Sequence, residues 1–132
     1  RQRQMCIRDR SLTDTALENL QKIIVNKQTL FQRAFRMDST EIEITEEKIN
    51  FTWFSYTTDS DEIAAYTQFI SRLCDMARDA KRVSSKPTET DNDKYAFRCF
   101  LLRLGFIGKE YTTARKILLR NLTGNSTFRS VK

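Results

Sequence analysis

Histidine is absent from this chain, and cysteine, glycine and proline are scarce: its 132 residues include 3 Cys, 3 Gly and 1 Pro. Without His, no Ser-His pair, Cys-His pair or His-metal site can be built, and so few thiols leave no zinc site of a common type. Little Gly and Pro excludes a flexible linker or a low-complexity polymer. No apolar run approaches the ~20 residues that a helical membrane span needs, so no membrane contact is expected. No metal or other cofactor is expected either. What is present, 39% hydrophobic and 30% charged residues, fits a globular chain of about one domain.

The first ten residues, RQRQMCIRDR, stand apart. They carry four Arg and one Asp without the apolar periodicity of a packing helix or strand. The stretch Met5 to Arg10 resembles a translated sequencing-adapter peptide, and a natural basic arm is the alternative. Residues 1–10 are therefore expected to be a disordered, adapter-derived artefact, with residues 11–132 forming a single α+β domain. Of the net charge of +6, these ten residues supply +3. Cys74 and Cys99 lie in apolar helical contexts with no CxxC or framework spacing, which predicts reduced, buried thiols in a cytoplasmic protein. The sequons at Asn50, Asn121 and Asn125 are then chance matches.

Apolar spacing predicts the elements that follow. A helix over Thr13 to about Val25, with Thr13 as N-cap, places Leu17, Leu20, Ile23 and Ile24 on one face. A second helix, Lys27 to Arg36, is predicted to be capped by Asn26 and to bury Leu30, Phe31, Ala34 and Phe35. The alternation in Glu41 to Ile44 and in Lys48 to Phe54 predicts a hairpin turning at residues 45–48, with Ile49, Phe51 and Trp53 on one face. Asp59-x-x-Glu62 has the form of a capping box opening a helix over Asp61 to Arg82. Its expected buried stripe is Ile63, Tyr66, Ile70, Leu73, Ala77 and Ala80. Residues 84–91 hold the only Pro and form the expected internal loop. Asn92 or Asp91 then caps a helix to Leu104 that is apolar nearly all round, and Gly105 fits its C′ position. A last helix is predicted from Lys109 to about Leu122, stopping at Gly124. The fold class is α+β, mainly α: a helical pair, a hairpin, then three helices. A two-stranded ribbon is marginal in water, so further strands are expected upstream and the chain reads as the C-terminal part of something larger.

Charge is divided unevenly. Residues 11–93 carry 10 Lys/Arg against 15 Asp/Glu, whereas residues 94–132 carry 9 against the single Glu110. Lys109, Arg115, Lys116 and Arg120 concentrate on the last predicted helix, as a DNA-reading helix after a short turn would show. The competing reading is a solvated face, or one that meets the acidic portion of the chain. Gly105-Phe106-Ile107-Gly108 has the GxxG form of a backbone clamp, but Phe and Ile between the glycines suit a packed helix corner. For acid–base catalysis the candidates are Glu41, Glu43, Glu46, Glu47, Asp59, Asp61 and Glu62, with no pocket evident around any of them. Trp53, beside Phe51 and Phe54, serves either base stacking or hairpin packing.

Several stretches together resemble a known group: Asp59 to Ile70, Leu73 to Ala77, Lys81-Arg82-Val83, above all Lys94-Tyr95-Ala96-Phe97-Arg98-Cys99-Phe100-Leu101-Leu102-Arg103-Leu104-Gly105-Phe106-Ile107-Gly108, then Glu110-Tyr111, Ala114-Arg115-Lys116 and Gly124-Asn125-Ser126. They resemble the C-terminal part of the bacterial "virulence-related protein" group encoded on integrative conjugative elements, a class of mobile genetic element. That layout is in turn distantly similar to the end of amidoligases, ATP-dependent carboxylate-amine ligases. The resemblance implies a Glu-Phe-Arg signature on the strand matching Ile49 to Phe54, where this chain has Asn50-Phe51-Thr52. Acid and guanidinium are both replaced, so no amidoligase catalytic residue carries over.

The expected function is accordingly a non-catalytic accessory domain, without enzyme activity of its own, that binds a protein partner. A nucleic-acid-binding module using Lys109, Arg115, Lys116 and Arg120 is the first rival, and a degenerate amidoligase-like remnant the second.

Overall fold

Capping side chains set where the helices begin. In the computed structural model, which describes residues 4–10, 12–37, 39–81, 83 and 92–122, Thr13 Oγ1 accepts from the Ala16 N–H at 3.2 Å and opens α1 (Asp14–Asn26). Asp59 Oδ1 accepts from the N–H groups of Asp61 and Glu62 and opens α3 (Ser60–Asp79). Asn92 Oδ1 accepts from Tyr95 N–H and opens α4 (Asp93–Leu104), which decides between the two cap candidates. Each bond satisfies an N–H that the helix itself leaves unpaired. Gly105, at φ 111°, closes α4 in the left-handed conformation that its position requires.

The class is α+β, mainly α, as the periodicity implies. Between α1 and α3 lie α2 (Gln28–Phe35) and the hairpin of β2 (Glu43–Ile44) with β3 (Lys48–Ser55). The hairpin turns at the expected place: Thr45 N–H donates to the Lys48 carbonyl, and Lys48 N–H to Thr45 Oγ1. Ile49, Phe51 and Trp53 are all buried, as their alternation predicts.

Several expectations are overturned. The composition of residues 1–10 predicts disorder, yet Gln4–Arg10 forms β1, which pairs antiparallel with β3 from Gln4 opposite Ser55 to Arg10 opposite Lys48. The sheet is therefore three-stranded in the order β1-β3-β2. Strand pairing is made by the backbone, so an unpatterned basic segment can complete an edge that would otherwise be bare, with Ile7 packing against the core. Asn26 does not cap α2: α1 runs through it, and Lys27 stands at the junction without a side-chain cap. α3 stops at Asp79 rather than Arg82, leaving Ala80 as its extended, half-buried C-cap; on the helix itself Ile63 is 38% exposed, while Ala65, Phe69 and Cys74 join the buried face. The stripe drifts because α3 is covered on more than one side, by α1, α5 and β1. The last predicted helix is instead a 3₁₀ turn, Lys109–Tyr111, followed by α5 (Thr112–Leu119). The predicted loop at 84–91, the stop at Gly124 and the Asn125 sequon lie outside the described residues.

The core is one contiguous cluster centred on aromatic rings. Phe31 of α2 lies 5.5 Å from Trp53, 5.7 Å from Phe69, 6.1 Å from Phe97 and 5.8 Å from Phe100 between ring centroids, so it joins sheet, α3 and α4. Phe35, one turn on, meets Phe54 edge to face at 4.9 Å. At eight residues α2 is too short to hold by propensity alone; these two rings anchor it. Polar bonds also tie the helices together. Asn19 of α1 donates to the carbonyls of Ala77 and Ala80 at the end of α3, and Arg33 of α2 pairs with Asp93 of α4 at 2.6 Å.

Candidate functional site

The four basic residues singled out by sequence do not form one patch. Lys109 and Lys116 are exposed, without an ion pair among the described residues. Arg115 turns inward: its Nη1 donates to the carbonyls of Phe106 at 2.8 Å and Gly108 at 3.0 Å, fastening the connection between α4 and α5. Arg120, at the C-terminal end of α5, pairs with Glu62 on α3 at 2.6 Å and donates to Tyr66 Oη at 3.2 Å.

The Gly105 to Gly108 connection is a packed corner. Phe106 is fully buried and meets Tyr111 edge to face, and Arg72 of α3 donates to Tyr111 Oη at 2.6 Å while lying over both rings. Ile107 departs from the expected burial and is 62% exposed.

Arg120 borders a hollow of about 250 Å³ that the sequence did not reveal. Phe35 and Ala34 of α2, Phe54 of β3, Tyr66 of α3 and Ile117 of α5 contribute its apolar surface; Arg36, Arg120 and Asn121 contribute polar groups. Phe54 and Tyr66 stack at 4.4 Å with 17° between their planes. Asn121 donates to the Ala34 carbonyl at 2.8 Å, which ties the end of α5 to the end of α2.

Two arginines meet this hollow in different states. Both contacts of Arg120 use Nη2, leaving the N–H donors on Nε and Nη1 to an incoming acceptor. Arg36 is exposed and forms the C-cap of α2 at φ 53°, ψ 50°. Met37 N–H closes back onto the Gln32 carbonyl, so Arg36 occupies the left-handed position where Gly is usual and where a side chain costs about 1 kcal/mol or more. It is the only non-glycine residue with positive φ among the described residues.

Glu62 is more than a helix-cap residue. Its carboxylate accepts from Thr57 Oγ1 as well as Arg120, and these hydrogen bonds hold its pKa below the usual value. The other half of the capping box is filled by Thr57, whose Oγ1 accepts from Asp59 N–H at 3.0 Å. Burial pushes the Tyr66 hydroxyl's pKa up, so it stays a neutral donor and acceptor.

No family model, curated protein or solved structure matches this chain. The segment read against the amidoligase signature lies on β3, with Asn50 half-buried and donating to Glu43 Oε1 at 2.9 Å, Phe51 buried and Thr52 exposed. Glu41 and Glu43 are both exposed, but Ile44 is exposed as well, at 42%, so the alternation expected over Glu41 to Ile44 does not hold on β2. Among the described residues no cluster of three or more His, Cys, Asp or Glu could hold a metal, and no helix is long and apolar enough to cross a membrane. Of the hollow's residues, sequence reasoning found Arg120 but missed Arg36, Tyr66 and Asn121 as parts of a site. One signal was available for Arg36: the apolar periodicity of α2 ends there with no Gly or Asn to close the helix.

Proposed function

We propose that this chain is a non-catalytic interaction domain and that its protein partner presents an acidic segment to the hollow bordered by Arg36 and Arg120. The observation that carries this reading is Arg36 itself. An arginine kept in a left-handed C-cap gives up stability that glycine would supply, and a charge held there at such cost points to a role outside folding. The Arg120 donors, Tyr66 Oη and Asn121 surround the same space, and half-buried Ile117 offers apolar surface beside them. A carboxylate next to an apolar side chain matches that combination. The family resemblance would make this the accessory domain of a mobile-element virulence-related protein.

The nucleic-acid reading draws its support from Lys109 and Lys116, the two exposed lysines. Arg115 is already engaged by the fold's own carbonyls, and neither lysine borders the hollow beside Arg120, which weakens it.

Labelled peptides alternating Glu with Phe or Leu, with Lys-for-Glu controls, provide the test. Acidic peptides should bind the full chain in preference to the controls, and R36G and R120Q should each weaken that binding about tenfold. Equal binding of the Lys peptides would overturn the proposal. So would retention of short duplex DNA that falls steeply between about 50 and 200 mM salt and needs Lys109 and Lys116, since this is the signature of phosphate contact.

A further inference from the structure

A second hollow, which shares no lining residue with the first, lies where the C-terminal ends of α1 and α3 meet α4. It measures about 230 Å³ and is lined by Ile23, Asn26, Lys27, Met76, Ala80, Val83, Phe100 and Arg103. Lys27 Nζ stands 5.6 Å from the Phe100 ring centroid, and the Arg103 guanidinium carbon 5.9 Å from it. Two cations thus share one aromatic ring at the edge of an apolar recess. No carboxylate lines that recess among the described residues. Asp75 and Asp79 line an adjoining hollow that shares Met76, Ala80 and Arg103, and Asp75 is paired with Arg78.

We infer that this recess binds a small organic monocarboxylate with an aromatic or short aliphatic body, the carboxylate lying between Lys27 and Arg103 and the apolar body against Met76, Val83 and Phe100. Two like charges near one ring repel each other, and one anion between them converts that repulsion into two charge-assisted hydrogen bonds. The recess has suitable dimensions, because a cavity of roughly 150 Å³ already accepts benzene. The state of Lys27 agrees: burial, and then the neighbouring Arg103 charge, lower its pKa, as expected of an ammonium that lacks a counterion. A bound carboxylate would reverse that shift. This site is separate from the Arg36–Arg120 hollow, and neither reading depends on the other.

Sodium benzoate titrated into the full-length chain, followed by NMR at the Met76 methyl and the Lys27 ε-methylene, tests the inference. Saturable shifts at both groups are expected, together with a rise in the Lys27 pKa. Sodium chloride at the same ionic strength should produce neither. K27M and R103M should each weaken binding about tenfold. Benzyl alcohol distinguishes charge from shape without any substitution: binding as tight as benzoate would overturn the assignment, as would benzoate shifts that fail to saturate or survive both substitutions.

Discussion

Arg72 Nη1 lies 2.5 Å from the point that a Cβ on residue 105 would occupy, and the residue there is Gly105. The arginine holds that place because its other guanidinium nitrogen donates to Tyr111 Oη across the helix corner. G105A therefore meets two costs: a left-handed φ of 111° and displacement of Arg72 from its hydrogen bond. A loss of about 1–3 kcal/mol is expected by urea unfolding. In an R72A background the same substitution should cost less, since only the backbone strain remains. Equal cost in both backgrounds would mean that the guanidinium moves aside freely.

Arg36 makes the opposite prediction. R36G should raise stability by about 0.5–1 kcal/mol, after allowing for the extra backbone entropy that glycine loses on folding. Together with the expected loss of peptide binding, this separates function from folding. A variant that is less stable than the parent would show that Arg36 supports the fold instead.

Acid should weaken the link between α3 and α5. The Glu62 pKa is held below its ordinary value of 4.5 by the hydrogen bonds from Thr57 and Arg120, so the folded carboxylate resists protonation more than the unfolded one. The stabilisation it supplies is complete above the ordinary Glu range and is lost as pH falls through the lowered value. Unfolding midpoints measured from neutral pH into the acid range should fall less steeply in T57V and R120Q than in the parent. Parallel curves would remove Glu62 from the acid response.

Cys74 should be chemically silent in the folded chain. Burial, followed by Asp9 of β1, pushes its thiol pKa up to about 12. Iodoacetamide at mildly alkaline pH, read by peptide mass, should label half-buried Cys99 well ahead of Cys74. A chain beginning at Ser11 lacks Asp9 and the strand over α3, and should label faster at Cys74. No change on that truncation would mean that β1 does not protect α3.

Removing the buried Asn19 amide should be costly. N19A leaves the Ala77 and Ala80 carbonyls without that donor at the end of α3, at an expected loss of about 1–3 kcal/mol. Thermal unfolding measures it, and a change within a few tenths of a kcal/mol would show that water replaces the amide.

The caps at Thr13 and Asp59, the left-handed Gly105 and the inward face of Ile49, Phe51 and Trp53 were legible in the sequence, because each is settled within a few residues by hydrogen-bonding reach or side-chain period, whereas the α4 cap was narrowed only to Asn92 or Asp91. The fate of the basic residues was not. Lys109, Arg115, Lys116 and Arg120 look equivalent along the chain, yet two remain in solvent while Arg115 fastens a turn and Arg120 reaches Tyr66, 54 residues away. Packing likewise decided that Arg36 and Arg120 border one hollow, that Lys27 and Arg103 flank one ring, and that an unpatterned N-terminal segment supplies a strand. Local chemistry determines where elements begin and which face turns inward; what lies opposite a side chain follows from contacts between distant segments, and these exist only once the chain has folded.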